Sequence, residues 1–469
     1  MSRRFFFAVA AAVAAGGCAS FPEESGFGPV REFARERTGR EIVWQKSAED
    51  AARVRAAVRE RLARPLSADD AVEIALLANP SLQATYDELG IAAADLVQAA
   101  SGPNLRLHRL RTTFGAEVSK VEESFGFDFL GLLLLPLRQR MEARRFERVQ
   151  AEVSAEVLRT ALQARRAWIE AVAAAEALRN AERALDSAEA AAELGRRMAA
   201  VGNWPKLAHL REQAFYAEVA AQRARAEHAA SAARERLARL LGLWGEDLGA
   251  LKIPAELPEP PEATSAPEDL ERRAIEQRLD IRAARRELDW LAESLGLARS
   301  TRFVNALEFA RARTREGHDP AAWGYAIGLE IPIFDWGKAR LARAESAYRQ
   351  AVQRLADTAV QARSEVREAY AAYRSAFELA RHYRDEVLPL RKRISEEVLL
   401  RYNGMLASVF ELFADAREQA AALAAYVGAK REFWLAEAEL AASLSGKTTP
   451  HPVRPGAPAL AAPAAAPAH

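Results

Sequence analysis

Two hydrophobic patterns divide this chain. Long stretches carry apolar residues at three- and four-residue spacing between charged ones, which predicts amphipathic helices. Short runs alternate large apolar residues with small or charged ones, which predicts strands with two unlike faces. The clearest strand is Tyr325-Ala326-Ile327-Gly328-Leu329-Glu330-Ile331, with Trp323 just ahead of it. Phe125, Phe127 and Phe129 alternate with Gly126 and Asp128 and run into the apolar stretch Leu130 to Leu135. Leu105 to Thr113 and Phe303 to Arg311 are weaker members. Each run is close to the ~9 to 11 residues of a tilted transmembrane strand, with one face suited to lipid and the other to water. A small soluble sheet is the other reading. No proline interrupts the chain from Pro136 to Gly202, so the helix expected there is on the order of 100 Å long. Lys338 to Tyr402 repeats the design. A helix of that length needs a lateral partner, and Leu207, Leu210, Ala214, Ala217, Ala221 and Ala224 supply a heptad seam after the first turn. A rod-like coiled coil would use the same seam, but it leaves the strands unexplained.

The pattern occurs twice. Residues Asn79 to Ser101 lie on Arg278 to Ser300 without a gap, and Glu88, Leu89, Ala93 and Leu96 meet identical residues at Glu287, Leu288, Ala292 and Leu295. Pro136, Ala143 and Arg144 match Pro332, Ala339 and Arg340, and the turn Val201-Gly202-Asn203 matches Tyr402-Asn403-Gly404. Each copy reads as a helix, two strands, a long helix, a tight turn and a helix. Pro65 and Ser67 open the first helix and Pro103 ends it. We expect the first repeat over 66–246, a proline-rich linker over 247–267, the second repeat over 268–446 and a disordered Ala/Pro tail over 447–469. Pro136, Pro332 and Gly337 mark the expected strand-to-helix junctions.

Composition narrows the chemistry. Lys and Arg number 66 against 65 Asp and Glu, which gives no electrostatic footprint for nucleic acid. No mature segment approaches the ~18 to 20 apolar residues of a membrane helix, so a membrane would be crossed by strands. Four strands cannot close a pore, and an open edge in lipid leaves backbone groups unpaired at several kcal/mol each. More chains are needed, and twelve strands from three protomers would close a barrel. The only cysteine, Cys18, follows Arg3-Arg4, an apolar run from Phe5 to Ala15 and the small pair Gly16-Gly17. That layout predicts a signal peptide over 1–17, with Cys18 at the cleavage site as in a lipoprotein processing motif; an ordinary signal peptide with an incidental Cys18 is the other reading. Residues 18–65 would then form a lipid-anchored N-terminal segment. The histidines lack metal-ligand spacing, and no phosphate loop or nucleophile motif is present, so no cofactor, metal or catalytic residue is expected.

The chain resembles the TolC-like outer-membrane efflux family over roughly Leu66 to Gly446. The resemblance rests on Leu66-Ser67-Ala68-Asp69-Asp70-Ala71, Ala78-Asn79-Pro80-Ser81-Leu82, Ile331-Pro332-Ile333-Phe334-Asp335 with Gly337, and Arg401-Tyr402-Asn403-Gly404. Cys18 is similar to the anchor of the lipid-bearing members, and Ala19 in place of Asp implies delivery to the outer membrane. The resemblance implies a mainly α fold with a small transmembrane β part. Three protomers would complete a β-barrel above an α-helical barrel of coiled-coil hairpins in the periplasm. It implies a homotrimer giving passive exit to substrates from an inner-membrane, proton-driven pump through a periplasmic adaptor. Gly202, Asn203, Asn403 and Gly404 would be adaptor-docking tips. Glu411 matches the first acidic gate position; Ala414 occupies the second, with Asp415 one step later. A solvated helix face explains Glu411 and Asp415 equally well. Strand 1 departs from the family in being basic, with Arg106, His108, Arg109 and Arg111. The outer channel of a protein secretion system and a non-conducting envelope spacer are the alternative functions.

Overall fold

The computed structural model describes residues 23–114, 117–264, 269–300, 306–317, 319–330 and 336–446. Cys18 and the signal segment, Pro332 and the tail lie outside the described residues. The first copy contributes α3 (Ala68–Ala78), α4 (Pro80–Ala100), β1 (Arg106–Phe114), β2 (Glu117–Asp128), α5 (Phe129–Ala200) and α6 (Lys206–Leu240). The second contributes α8 (Leu270–Gln277), α9 (Leu279–Ser300), β3 (Ala306–Glu316), β4 (Ala322–Glu330), α10 (Lys338–His382), α11 (Leu388–Asn403) and α12 (Val409–Ser445). Ahead of these stand α1 (Phe27–Thr38) and α2 (Ala48–Leu62), and a short α7 (Glu246–Ala250) precedes the linker. The fold is the mainly helical one expected, with a small antiparallel sheet. Among the described residues no helix is long and apolar enough to cross a membrane.

Two compact units cut across the sequence copies. One holds residues 23–36, 83–154 and 281–361. Its four strands pair in the order β1-β2-β3-β4, all antiparallel. In the same unit, Phe27 meets Tyr86 edge-on at 5.0 Å, and Ala92 and Ala93 of α4 pack on Phe146 of α5. The other unit holds residues 37–82, 155–280 and 362–446. There the first copy closes through Asn79, whose side chain donates to Leu240 O at 2.8 Å and accepts from Leu82 N at 3.0 Å. The second copy closes through Arg278, buried to 2%, which donates to Ser443 O at 3.1 Å and Glu365 at 2.7 Å. Asn79 and Arg278 occupy matching positions and tie the end of the last helix of each copy to the start of α4 or α9.

Several boundaries differ from the sequence reading, each for a local physical reason. The helix expected from Pro65 to Pro103 is broken at Asn79, because Pro80 forces the residue before it to ψ 118. Pro136 is not a strand-to-helix junction: α5 starts at Phe129 and carries Pro136 inside it. Asp128 accepts the Gly131 amide at 2.8 Å, an N-cap that starts the helix and makes Leu130 to Leu135 helical rather than extended. The second long helix is interrupted by a π turn, Tyr383–Val387, where the Leu388 amide donates to Tyr383 O. Pro389 follows, and having no amide of its own and a ring that crowds the previous turn, it favours the wider register. The seam on α6 is also reversed. Leu207 and Leu210 are 61% and 51% exposed and Ala214, Ala217, Ala221 and Ala224 are exposed, whereas Glu212, Val219, Ala233 and Leu237 are buried. Leu210 and Glu212 are about 200° apart round the helix, so α6 carries two stripes and the protomer covers the other one.

Candidate transmembrane sheet and hairpin tips

Residues directly opposite in an antiparallel ladder share a face, so the register sorts the sheet into two. One face stacks Leu307 with Leu329, then Phe127, Phe309 and Ile327, then Leu107, Phe125, Arg311 and Tyr325. The next rows on it are Arg109, Glu123, Arg313 and Trp323, then Arg111, Val121 and Arg315. The other face is mainly small and polar: Arg106, Gly126, Ala310 and Ala326, then His108, Ser124, Ala312 and Gly324, then Leu110, Glu122, Thr314 and Ala322. The large apolar residues have no core over them: Tyr325 and Ile327 are each 72% exposed and Leu107 is 66%. Their rings form a ladder, with Phe127 6.2 Å from Phe309 and Phe309 5.9 Å from Tyr325. An exposed contiguous apolar face of this kind marks contact with lipid or another chain.

Of the junction residues, Gly337 sits immediately before α10 at φ +68, and its carbonyl accepts from Leu341 N at 3.0 Å. At the first tip, Gly202 takes φ +76 and Asn203 N donates to Met198 O at 3.0 Å, closing the end of α5. Trp204 is folded back on α5, where a Cβ on Gly195 would lie 2.1 Å from its ring. At the second tip the positive φ falls on Met405 (φ 59), not on Gly404, whose φ is −81. The two tips touch: Trp204 stacks on Phe410 at 4.8 Å with a 22° interplanar angle.

Glu411 is the third residue of α12 and closes a capping box, accepting from Ser408 N at 3.3 Å while Ser408 Oγ accepts from Glu411 N at 3.3 Å. Asp415 is buried and accepts from Ser395 Oγ of α11 at 2.5 Å; its Oδ1 has no protein partner. The two acids thus have separate partners. Sequence reasoning missed the groups that join the hairpins. Glu212 of α6, 5% exposed in its side chain, pairs with Arg417 of α12, which also lies 4.2 Å over the Phe215 ring. Buried Lys430 pairs with Glu176 at 2.9 Å and lies 3.5 Å from Glu259 of the linker. Burial, then the Glu259 carboxylate beside it, pushes the Tyr426 phenol above its ordinary value, so Tyr426 stays a donor to Glu259. Linker carbonyls Pro258 and Pro260 accept from Trp434 Nε1 at 2.8 Å and Arg384 Nη1 at 3.0 Å. No signal in the sequence marks these partners, which stand on separate elements.

No family model and no curated protein matches the chain. Solved structures do. The Campylobacter jejuni CmeC outer-membrane channel aligns with TM-score 0.69 at 18% identity, over 81% of this chain and 85% of its own. The Vibrio cholerae outer-membrane protein VceC gives 0.67 at 17%, over 86% and 98%. The open state of the Neisseria gonorrhoeae MtrE outer-membrane channel gives 0.67 at 20%, over 82% and 89%. The helix and strand order, the four-stranded antiparallel sheet and these alignments together establish that the chain has the fold of the TolC-like outer-membrane channels.

Proposed function

We propose that this chain is one protomer of a trimeric outer-membrane channel, giving passive exit to substrates that an inner-membrane pump delivers through a periplasmic adaptor. The observation that carries the reading is the sheet. Among the described residues β1 pairs only with β2 and β4 only with β3, and one face exposes aromatic and aliphatic side chains. Two open edges and a lipid-type face are compatible with a bilayer only when other chains complete the wall. The uncovered Leu207 to Ala224 stripe of α6 supports the same reading, because a helix of this length is stabilised by lateral packing and that stripe awaits another helix. Two sheets of four strands from neighbours and twelve strands in all then meet the closure argument. The tips Gly202, Asn203, Asn403 and Gly404 are the adaptor-docking candidates, flanked by Val201, Met405 and Leu406 at 71%, 94% and 82% exposure. Cys18 carries the lipid that anchors the N-terminus.

The test is conductance of the purified full chain in planar bilayers. Discrete channels are expected; correctly folded trimers that never conduct would reject the channel in favour of a spacer. Glu411 is kept as the gate candidate, with Asp415 held aside by Ser395. Glu411→Gln retains a capping-box partner and so isolates the charge. Block of conductance by divalent cations should weaken, and unchanged block assigns Glu411 to the helix cap alone.

A further inference from the structure

The basic residues of strand 1 have a structural setting that export does not explain. Arg109, Arg111, Arg311, Arg313 and Arg315 all stand on the apolar face of the sheet, with Glu123 as the one carboxylate among them in the paired rows. Glu123 lies 3.5 Å from Arg109 and 3.9 Å from Arg313. Arg311 and Arg313 lie 4.3 and 5.4 Å over the Trp323 ring. Arg111 and Arg315 are exposed. These rows occupy the ends of the strands nearest the β1–β2 and β3–β4 turns, whereas α5 and α10 leave from the opposite ends.

Their depth follows from strand geometry. Arg315 lies eight residues along β3 from Leu307, the lowest apolar position on this face among the described residues, which is ~26 Å of strand and ~20 Å along the membrane normal at the usual tilt. An outer-membrane apolar band is about 25 Å tall, so the Arg111 and Arg315 row lies near its far boundary, with the Arg109 and Arg313 row ~5 Å below it. A lipid-facing arginine is strongly unfavourable at mid-membrane and close to neutral at the interface, and its long stem lets the guanidinium reach the headgroups. At that level the matching chemistry is phosphate, which a planar guanidinium binds through two parallel hydrogen bonds. We propose that this face carries a basic collar for the phosphate groups of outer-leaflet lipids. The collar rests on the channel reading, which puts the hairpin turns at the outer surface.

The experiment reconstitutes the full chain into phosphatidylcholine nanodiscs containing a minor fraction of diphosphoryl lipid A and measures lipid A retained per protein by native mass spectrometry. Wild type should retain it on the order of a hundredfold more tightly than Arg111→Gln/Arg313→Gln/Arg315→Gln, since each basic residue at an anionic surface contributes several-fold. The corresponding triple Lys variant should recover most of that difference. Dephosphorylated lipid A should not discriminate between the proteins, and millimolar inorganic phosphate should not compete. Equal retention by wild type and a Gln variant that still conducts would overturn the collar while leaving the channel intact. Full competition by inorganic phosphate would overturn it in favour of a free-anion site. Failure of the wild type to insert into any bilayer would overturn both readings.

Discussion

Replacing Lys430 with Met should open the linker anchorage by stranding a charge. The ammonium is 3% exposed and the Glu176 carboxylate 7% exposed, at 2.9 Å from each other. Removing one partner of such a pair costs about 3–5 kcal/mol, because the other ion stays out of water without a counter-charge. Glu176 keeps one bond, the Leu257 amide donating to its other oxygen at 3.0 Å, which places Lys430→Met near the lower end, about 3 kcal/mol. Glu176→Gln added to Lys430→Met removes the stranded charge while still accepting from Leu257, and should restore about 2 kcal/mol of that loss. The assay is urea unfolding of the detergent-solubilised full chain, followed by tryptophan fluorescence, to which Trp434 and Trp168 contribute. Both indoles are reporters of this region, donating to Pro258 O at 2.8 Å and Leu66 O at 2.7 Å. A Lys430→Met cost below about 1 kcal/mol, or a double variant as unstable as the two single losses summed, would refute a buried, coupled pair.

Two further outcomes follow from the same unit. Gly242→Ala meets a close contact with the Ala78 carbonyl, 2.5 Å from the added Cβ, at a backbone with φ +68; it should cost more than Asn79→Ala, expected at about 1–2 kcal/mol for a lost cap, in thermal unfolding. Burial raises the Glu437 carboxyl above its ordinary value, with Arg165 opposing. Its favourable contribution is therefore complete below the unfolded carboxylate value and is lost as pH rises through the raised one. Glu437→Gln should stabilise the protein at pH 8 and change little at pH 4; a variant with the same pH dependence as wild type would remove Glu437 from that account.

Elements whose cause lies among neighbouring residues were legible. The alternation Tyr325 to Glu330 lies within β4, and the proline-free stretch before Gly202 lies within α5. The lipid-type face was visible for the same reason, since a period of two assigns faces without knowing the partner strand. Local detail was less secure even where its cause was local. Asp128 as an N-cap and Pro389 as the source of a π turn were readable, but a leucine run beside phenylalanines and a long charged helix masked them.

The sequence by itself determined the helices, the strands and the opposite characters of the strand faces, because propensity and periodicity act over a few residues. Tertiary structure alone decided which stripe of α6 is covered, that Glu176 meets Lys430 and Glu212 meets Arg417, that Trp204 stacks on Phe410, and that five arginines from two strands gather on one lipid-type face. Those outcomes depend on residues tens to hundreds of positions apart. Their contacts form only once packing selects one arrangement, and a charged residue on a helix looks alike in sequence whether water or a buried partner satisfies it.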